Sequence, residues 1–75
     1  MDLSEAQLNK RCLVKNVDIK DEKTKIRIME LGIVEGVKIL VFRKSALKKT
    51  LLIVFASSCF TLKENLAKQI EVCYA

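Results

Sequence analysis

Met29-Glu30-Leu31-Gly32-Ile33-Val34-Glu35-Gly36, running into Val37-Lys38-Ile39-Leu40-Val41, is the stretch that decides the fold. It sets two glycines between a helical pattern and a strand-like run, and the 75-residue chain holds no other glycine. A chain so sparing of glycine keeps it where the backbone needs a positive φ, a region that a Cβ disfavours. Gly32 therefore reads as a helix stop at C′, and Gly36 as the third residue of a type II turn that feeds a strand.

Upstream, Asp21 suits an N-cap and Glu22 the first turn of a helix, near the positive end of its dipole. The helix is expected over Glu22–Leu31, about three turns, ending at Gly32. At ~100° per residue Thr24, Ile28 and Leu31 share a face, so Ile28 and Leu31 are expected in the core. Ile26 and Met29 lie toward the other side, beside Lys23 and Arg27. They either pack under the N-terminal lead or meet a partner, and packing is the expectation because short domains recruit every apolar residue they can. Before the helix, Cys12 to Ile19 is rich in β-branched residues with a ragged alternation, the pattern of a strand carrying a bulge. Residues 1–9 form a polar lead with scattered Leu3 and Leu8, either frayed or an extra strand along a sheet edge.

Downstream, Val37–Phe42 and Leu51–Phe55 are apolar, β-rich runs joined by Arg43 to Lys49, a long hairpin with a charged tip around Ala46-Leu47. Ser57-Ser58 turns the chain into Cys59–Leu62, Lys63–Leu66 suits a single helical turn, and Ile70, Val72 and Tyr74 alternate as a closing strand. Five short strands with turns at such spacing make the chain mainly β, a small, partly open antiparallel barrel with one short helix inserted after the first strand.

Arg27-Ile28-Met29-Glu30-Leu31-Gly32-Ile33-Val34-Glu35-Gly36 resembles the R-L-x-E-L-G-I-x-P-G signature of the FeoA family of small ferrous-iron-transport proteins. The resemblance runs from Lys10 onward, with Leu13–Val17 as the first strand. Two positions depart from it: Glu35 replaces the usual proline before the second glycine, and Lys48-Lys49-Thr50 replaces the Gly-Asp-Pro of the central hairpin. The resemblance implies an SH3-like barrel with no cofactor, which supports ferrous iron uptake through the cytosolic, GTP-binding part of a FeoB-type membrane transporter. The SH3-like domain of iron-dependent repressors is similar in fold, but no winged-helix segment precedes this chain, which favours the transporter accessory.

Composition bounds the rest. With 51% hydrophobic and 31% charged residues the chain can build a core, although a chain this short buries only ~60% of its unfolded surface. One domain over residues 1–75 is expected. The acidic start Met1-Asp2-Leu3-Ser4-Glu5 lacks the basic and apolar regions of a signal peptide. The run Leu51–Ala56 falls far short of the ~20 residues of a membrane-spanning helix. A cytoplasmic protein that meets a membrane only through its partner is expected. Cys12, Cys59 and Cys73 are odd in number and lack a C-x-x-C pair, so no disulfide framework forms. Cys59 and Cys73 share outward strand parity, but without histidine a transition-metal site is the weaker reading and cysteine as a small apolar residue the stronger. No phosphate loop, nucleophile elbow or isolated carboxylate pair suggests an enzyme, and no small-molecule substrate is implied.

A net charge of +5 and a pI of about 9.3 keep one rival, a basic small-barrel module for single-stranded RNA or DNA. Such modules stack bases on exposed aromatics, whereas Phe42, Phe55, Phe60 and Tyr74 fall in strand runs where core packing is the default. Nucleic acid is thus the lesser expectation. The residues expected to bind the partner are the exposed apolar positions Ile26, Met29, Val34, Ala46 and Leu47, rimmed by Lys44 and Lys48. Gly32 and Gly36 are expected to be structural turn positions only.

Overall fold

The computed structural model describes residues 1–75. Strands β1 (Arg11–Val17), β2 (Lys38–Ser45), β3 (Thr50–Phe55), β4 (Ser58–Lys63) and β5 (Ile70–Tyr74) form one antiparallel sheet in the order β4-β3-β2-β1-β5. The sheet curls into a partly open, SH3-like barrel around a contiguous core of 17 buried residues. β3 alternates most regularly: Leu51, Ile53 and Phe55 point inward, and Leu52 and Val54 are half-buried on the outer face. Such two-sided apolarity suits a strand flanked on both edges. Bulges interrupt β1 between Val14 and Asn16 and β2 between Val41 and Arg43, bending both strands as barrel closure requires. Alternation with the buried Ile39 and Val41 puts Phe42 on the outer face, 45% exposed, rather than packed in the core as its strand run predicted.

Helix α1 (Glu22–Glu30) starts at Asp21, whose carboxylate accepts from the Thr24 amide at 3.1 Å and from the Thr24 hydroxyl. Its end explains why the core stripe differs from the one its periodicity suggested. The Ile33 amide bonds the Ile28 carbonyl at 3.3 Å and the Gly32 amide bonds that of Met29 at 3.0 Å. With Gly32 at φ 107°, this is a Schellman motif, which brings the residue after the glycine back against the last helical turn. Ile33 (1% exposed) therefore joins Ile28 (6%) in the core, and Leu31, expected there, is left 49% exposed. Gly36 (φ 90°) is the third residue of a turn closed by Val37 N–H to Val34 O, and its own amide donates to the Val14 carbonyl at 2.9 Å. That bond docks the turn on β1.

The N-terminal lead is built into the fold. Asp2 caps a 3₁₀ turn over Leu3–Glu5, accepting from the Ser4 amide while Glu5 accepts from the Asp2 amide, a capping box. Leu3 and Ala6 are fully buried. A single bridge, Asp2 to Glu71, is all that remains of the edge strand held open as an alternative. The lead then crosses the barrel end to β2, where the Asn9 amide bonds the Val41 carbonyl at 2.7 Å. The one-turn helix α2 (Glu64–Ala67) links β4 to β5 and packs against β4, β3 and the N-terminal turn, with Ala67 buried.

Candidate functional site

The Schellman end of α1 and the type II turn after it leave a recess of about 280 Å³ against the end of β1. It is lined by Met29 and Val34, by Asn16 and Val17 of β1, and by the charged Lys25 and Glu35. Ile26 and Met29 do not pack under the lead as expected: they are 50% and 42% exposed. Exposing two large apolar side chains on a nine-residue helix, beside an apolar recess, leaves burial free energy unused, a property of surfaces that meet partners. The recess holds no nucleophile. It can seat an apolar side chain between opposite charges, which is recognition chemistry. At the other end of the helix, the hydrogen bonds from Thr24 hold the Asp21 carboxyl below its usual value, so the cap stays ionised in the physiological range.

The structure brings together Met29 and Val34, with Ile26 on the same helix, but not the hairpin residues expected to join them. The β2–β3 tip, Ala46 to Lys49, lies at the far end of β2, roughly 23 Å along the strand. Lys44 is not a free rim cation: its ammonium donates to the Ser4 carbonyl at 2.9 Å and ties the lead to β2. Ala46 and Lys48 are exposed, and Leu47 at the apex is 94% exposed. Two features went unread in the sequence. Leu31 is exposed, on the side of the helix away from Ile26 and Met29, which the Gly32-Ile33 pair at C′ and C″ signals. A cluster of lysines beside the tip comes from β4 and α2 and has no local sequence signature.

Cys12 is buried, and desolvation, reinforced by the nearby Cys73, pushes its thiol up from 9.0. Cys59 and Cys73 are exposed as their parity suggested, on separate edge strands. No three histidine, cysteine or acidic side chains converge on one point. No helix is long and apolar enough to cross a membrane.

The fold has counterparts among solved structures. The chain superposes on the FeoA protein of Chlorobium tepidum with a TM-score of 0.89 at 30% identity, covering 99% of this chain and 70% of that one. It is also similar to the zinc-complexed FeoA of Stenotrophomonas maltophilia, described as a prokaryotic SH3 domain protein and a candidate ferrous iron transport activating factor. There the TM-score is 0.83 at 28% identity, over 97% of this chain and 89% of that one. A manganese-dependent transcriptional repressor matches with a TM-score of 0.90 at 14% identity, over 100% of this chain and 36% of that one, a likeness of fold alone. No curated protein sequence matches the chain. A family model described as FeoA domain matches residues 1–73, and with it the helix, Gly32 stop and turn that build the recess, so the chain belongs to the FeoA family, associated with ferrous iron transport.

Proposed function

We propose that this chain is a non-enzymatic, cytoplasmic accessory of ferrous iron uptake that acts by contact with the cytosolic region of a FeoB-type transporter. The observation that carries this reading is the recess lined by Met29 and Val34, with Ile26 exposed on the same helix. A protein interface concentrates its free energy in a few such apolar anchors within a polar rim, here Lys25 and Glu35. The adaptor has no need of its own nucleotide, substrate or bound cofactor. It biases the transporter's conformations by binding one of them better than another. Family membership and the description of the Stenotrophomonas relative as a candidate activating factor support the same reading.

The test is binding of the purified cytosolic transporter region to Ile26→Asp and Met29→Asp variants whose circular dichroism matches the parent. Loss of affinity by about tenfold or more is expected for each, as for apolar anchors at an interface centre. Unchanged affinity in both folded variants would reject the α1 surface.

The rival, a module for single-stranded nucleic acid, finds few free aromatic faces. Phe55 and Phe60 stack on each other at 5.0 Å. The Tyr74 ring carries the Lys10 ammonium at 4.1 Å, and its hydroxyl accepts from the Gln7 amide at 3.0 Å. Phe42 alone is well exposed, with the Arg43 guanidinium 5.7 Å from its ring centre. One platform is short of the run of stacked bases that such modules hold.

A further inference from the structure

Beside the β2–β3 tip, Lys48 and Lys49 from the hairpin converge with Lys63 at the end of β4 and Lys68 at the end of α2. They line a recess of about 420 Å³ whose remaining wall is the polar Thr50 and Asn65 and one acid, Glu64. The Glu64 carboxylate lies 3.6 Å from the Lys68 ammonium, the chain's single salt bridge. Lys48, Lys49 and Lys63 therefore stand without an acidic partner. A second recess on the other side of Lys48 adds Arg43 and carries no acid. Immediately above this field, Leu47 projects from the apex with 94% of its surface in water.

We propose that this tip is an anchor for an anionic lipid surface, with the lysine recess receiving headgroup phosphates and Leu47 entering the acyl boundary. Two features favour this occupant. The unpaired, exposed lysines are complementary to an anionic surface, and basic residues at a membrane face gain from the negative potential of its lipids. Leu47 is a convex knob on a hairpin turn, a shape suited to a yielding interface, where apolar side chains bury to ~5–10 Å. Phosphates of a nucleic acid would satisfy the lysines but leave Leu47 in water. An acidic protein would need a socket for the knob. The anchor lies at the opposite end of β2 from the α1 recess, so both can be engaged at once, and its failure would leave the proposed protein contact standing.

The experiment is co-sedimentation of the full chain with vesicles of phosphatidylglycerol and phosphatidylcholine, against phosphatidylcholine alone, at low and high salt. Parallel tubes contain inorganic phosphate or single-stranded RNA as competitors. Partitioning to the anionic vesicles only, weakened by salt and resistant to inorganic phosphate, is expected. Leu47→Asp, at a site too exposed to unsettle the fold, is expected to lower partitioning about tenfold or more. Lys48→Glu with Lys63→Glu is expected to lower it by a comparable factor. No partitioning to anionic vesicles would overturn the proposal. So would partitioning indifferent to Leu47→Asp, displacement by inorganic phosphate, or RNA binding in place of vesicle binding.

Discussion

Replacing Ile33 by alanine tests the path by which the helix delivers its core residue. Ile33 is 1% exposed and follows Gly32 in the Schellman motif, so truncation removes three carbons from a packed site. Isoleucine-to-alanine changes in cores cost about 2–5 kcal/mol, through lost transfer free energy and the cavity left behind. A domain of 75 residues has a total stability of about 4–11 kcal/mol. The loss is thus a large share of the whole. A mid-range cost of about 3 kcal/mol corresponds to a fall in Tm of about 12–24 °C at this size. Leu31→Ala is the paired control: Leu31 is 49% exposed, and alanine is a good helix former, so its cost is expected within about 0.5 kcal/mol. Urea unfolding followed by far-ultraviolet circular dichroism reads both. Ile33→Ala is expected to move the midpoint strongly and Leu31→Ala hardly at all, with equal m-values. A greater loss for Leu31→Ala would restore the simple helical periodicity and refute the Schellman reading.

Other expectations concern the turns and the cap. Gly32→Ala puts a Cβ 3.4 Å from the Phe55 ring at φ 107°, whereas Gly36→Ala at φ 90° meets nothing within 4 Å. Both are expected to destabilise by about 1–3 kcal/mol, Gly32 more, and urea midpoints in the reverse order would contradict the packing described. The β3–β4 hairpin turns on Ala56 and Ser57 at φ 50° and 62°, the signs of a type I′ turn made without its preferred Asn-Gly. Ala56→Asn with Ser57→Gly is therefore expected to stabilise by about 1–2 kcal/mol, seen as a higher Tm; a lower Tm would contradict the turn assignment. Asp21 has its folded pKa depressed below 3.8 by the Thr24 bonds, so the unfolded chain takes up its proton first as pH falls. Its contribution is then fully present above the unfolded value and lost as pH drops through the folded one. The stability gap between parent and Asp21→Ala is expected to be constant near neutrality and to close in acid. A gap that persists unchanged in acid would contradict the cap.

Much of the barrel was legible because its signals are local. The bulge in β1, the Asp21 cap, the Gly32 stop and the alternation of β5 each follow from a few neighbouring residues, and the structure repeats them within a residue or two. The lead was misjudged for want of one local signal: Asp2-Leu3-Ser4-Glu5 carries the three-residue spacing of a capping box, which orders a segment that composition alone makes look frayed. Leu31 and Ile33 exchanged places because helical periodicity ends where the C′ glycine reverses the chain. Phe42 faces outward by plain alternation with the buried Ile39 and Val41, which a run of consecutive apolar residues from Ile39 to Phe42 does not reveal because either parity could be the inner one. The separation of the α1 recess from the tip, and the gathering of Lys63 and Lys68 beside Lys48 and Lys49, are tertiary facts. No spacing along the chain carries them.

Contact through the α1 surface would be read residue by residue in amide NMR of the labelled chain during titration with the purified cytosolic region of a FeoB-type transporter. Salt-resistant shifts confined to Lys25–Leu31 and the Val34–Val37 turn are expected, with the hairpin tip undisturbed. Shifts confined to the tip, or a spectrum that the transporter leaves unchanged, would contradict that contact.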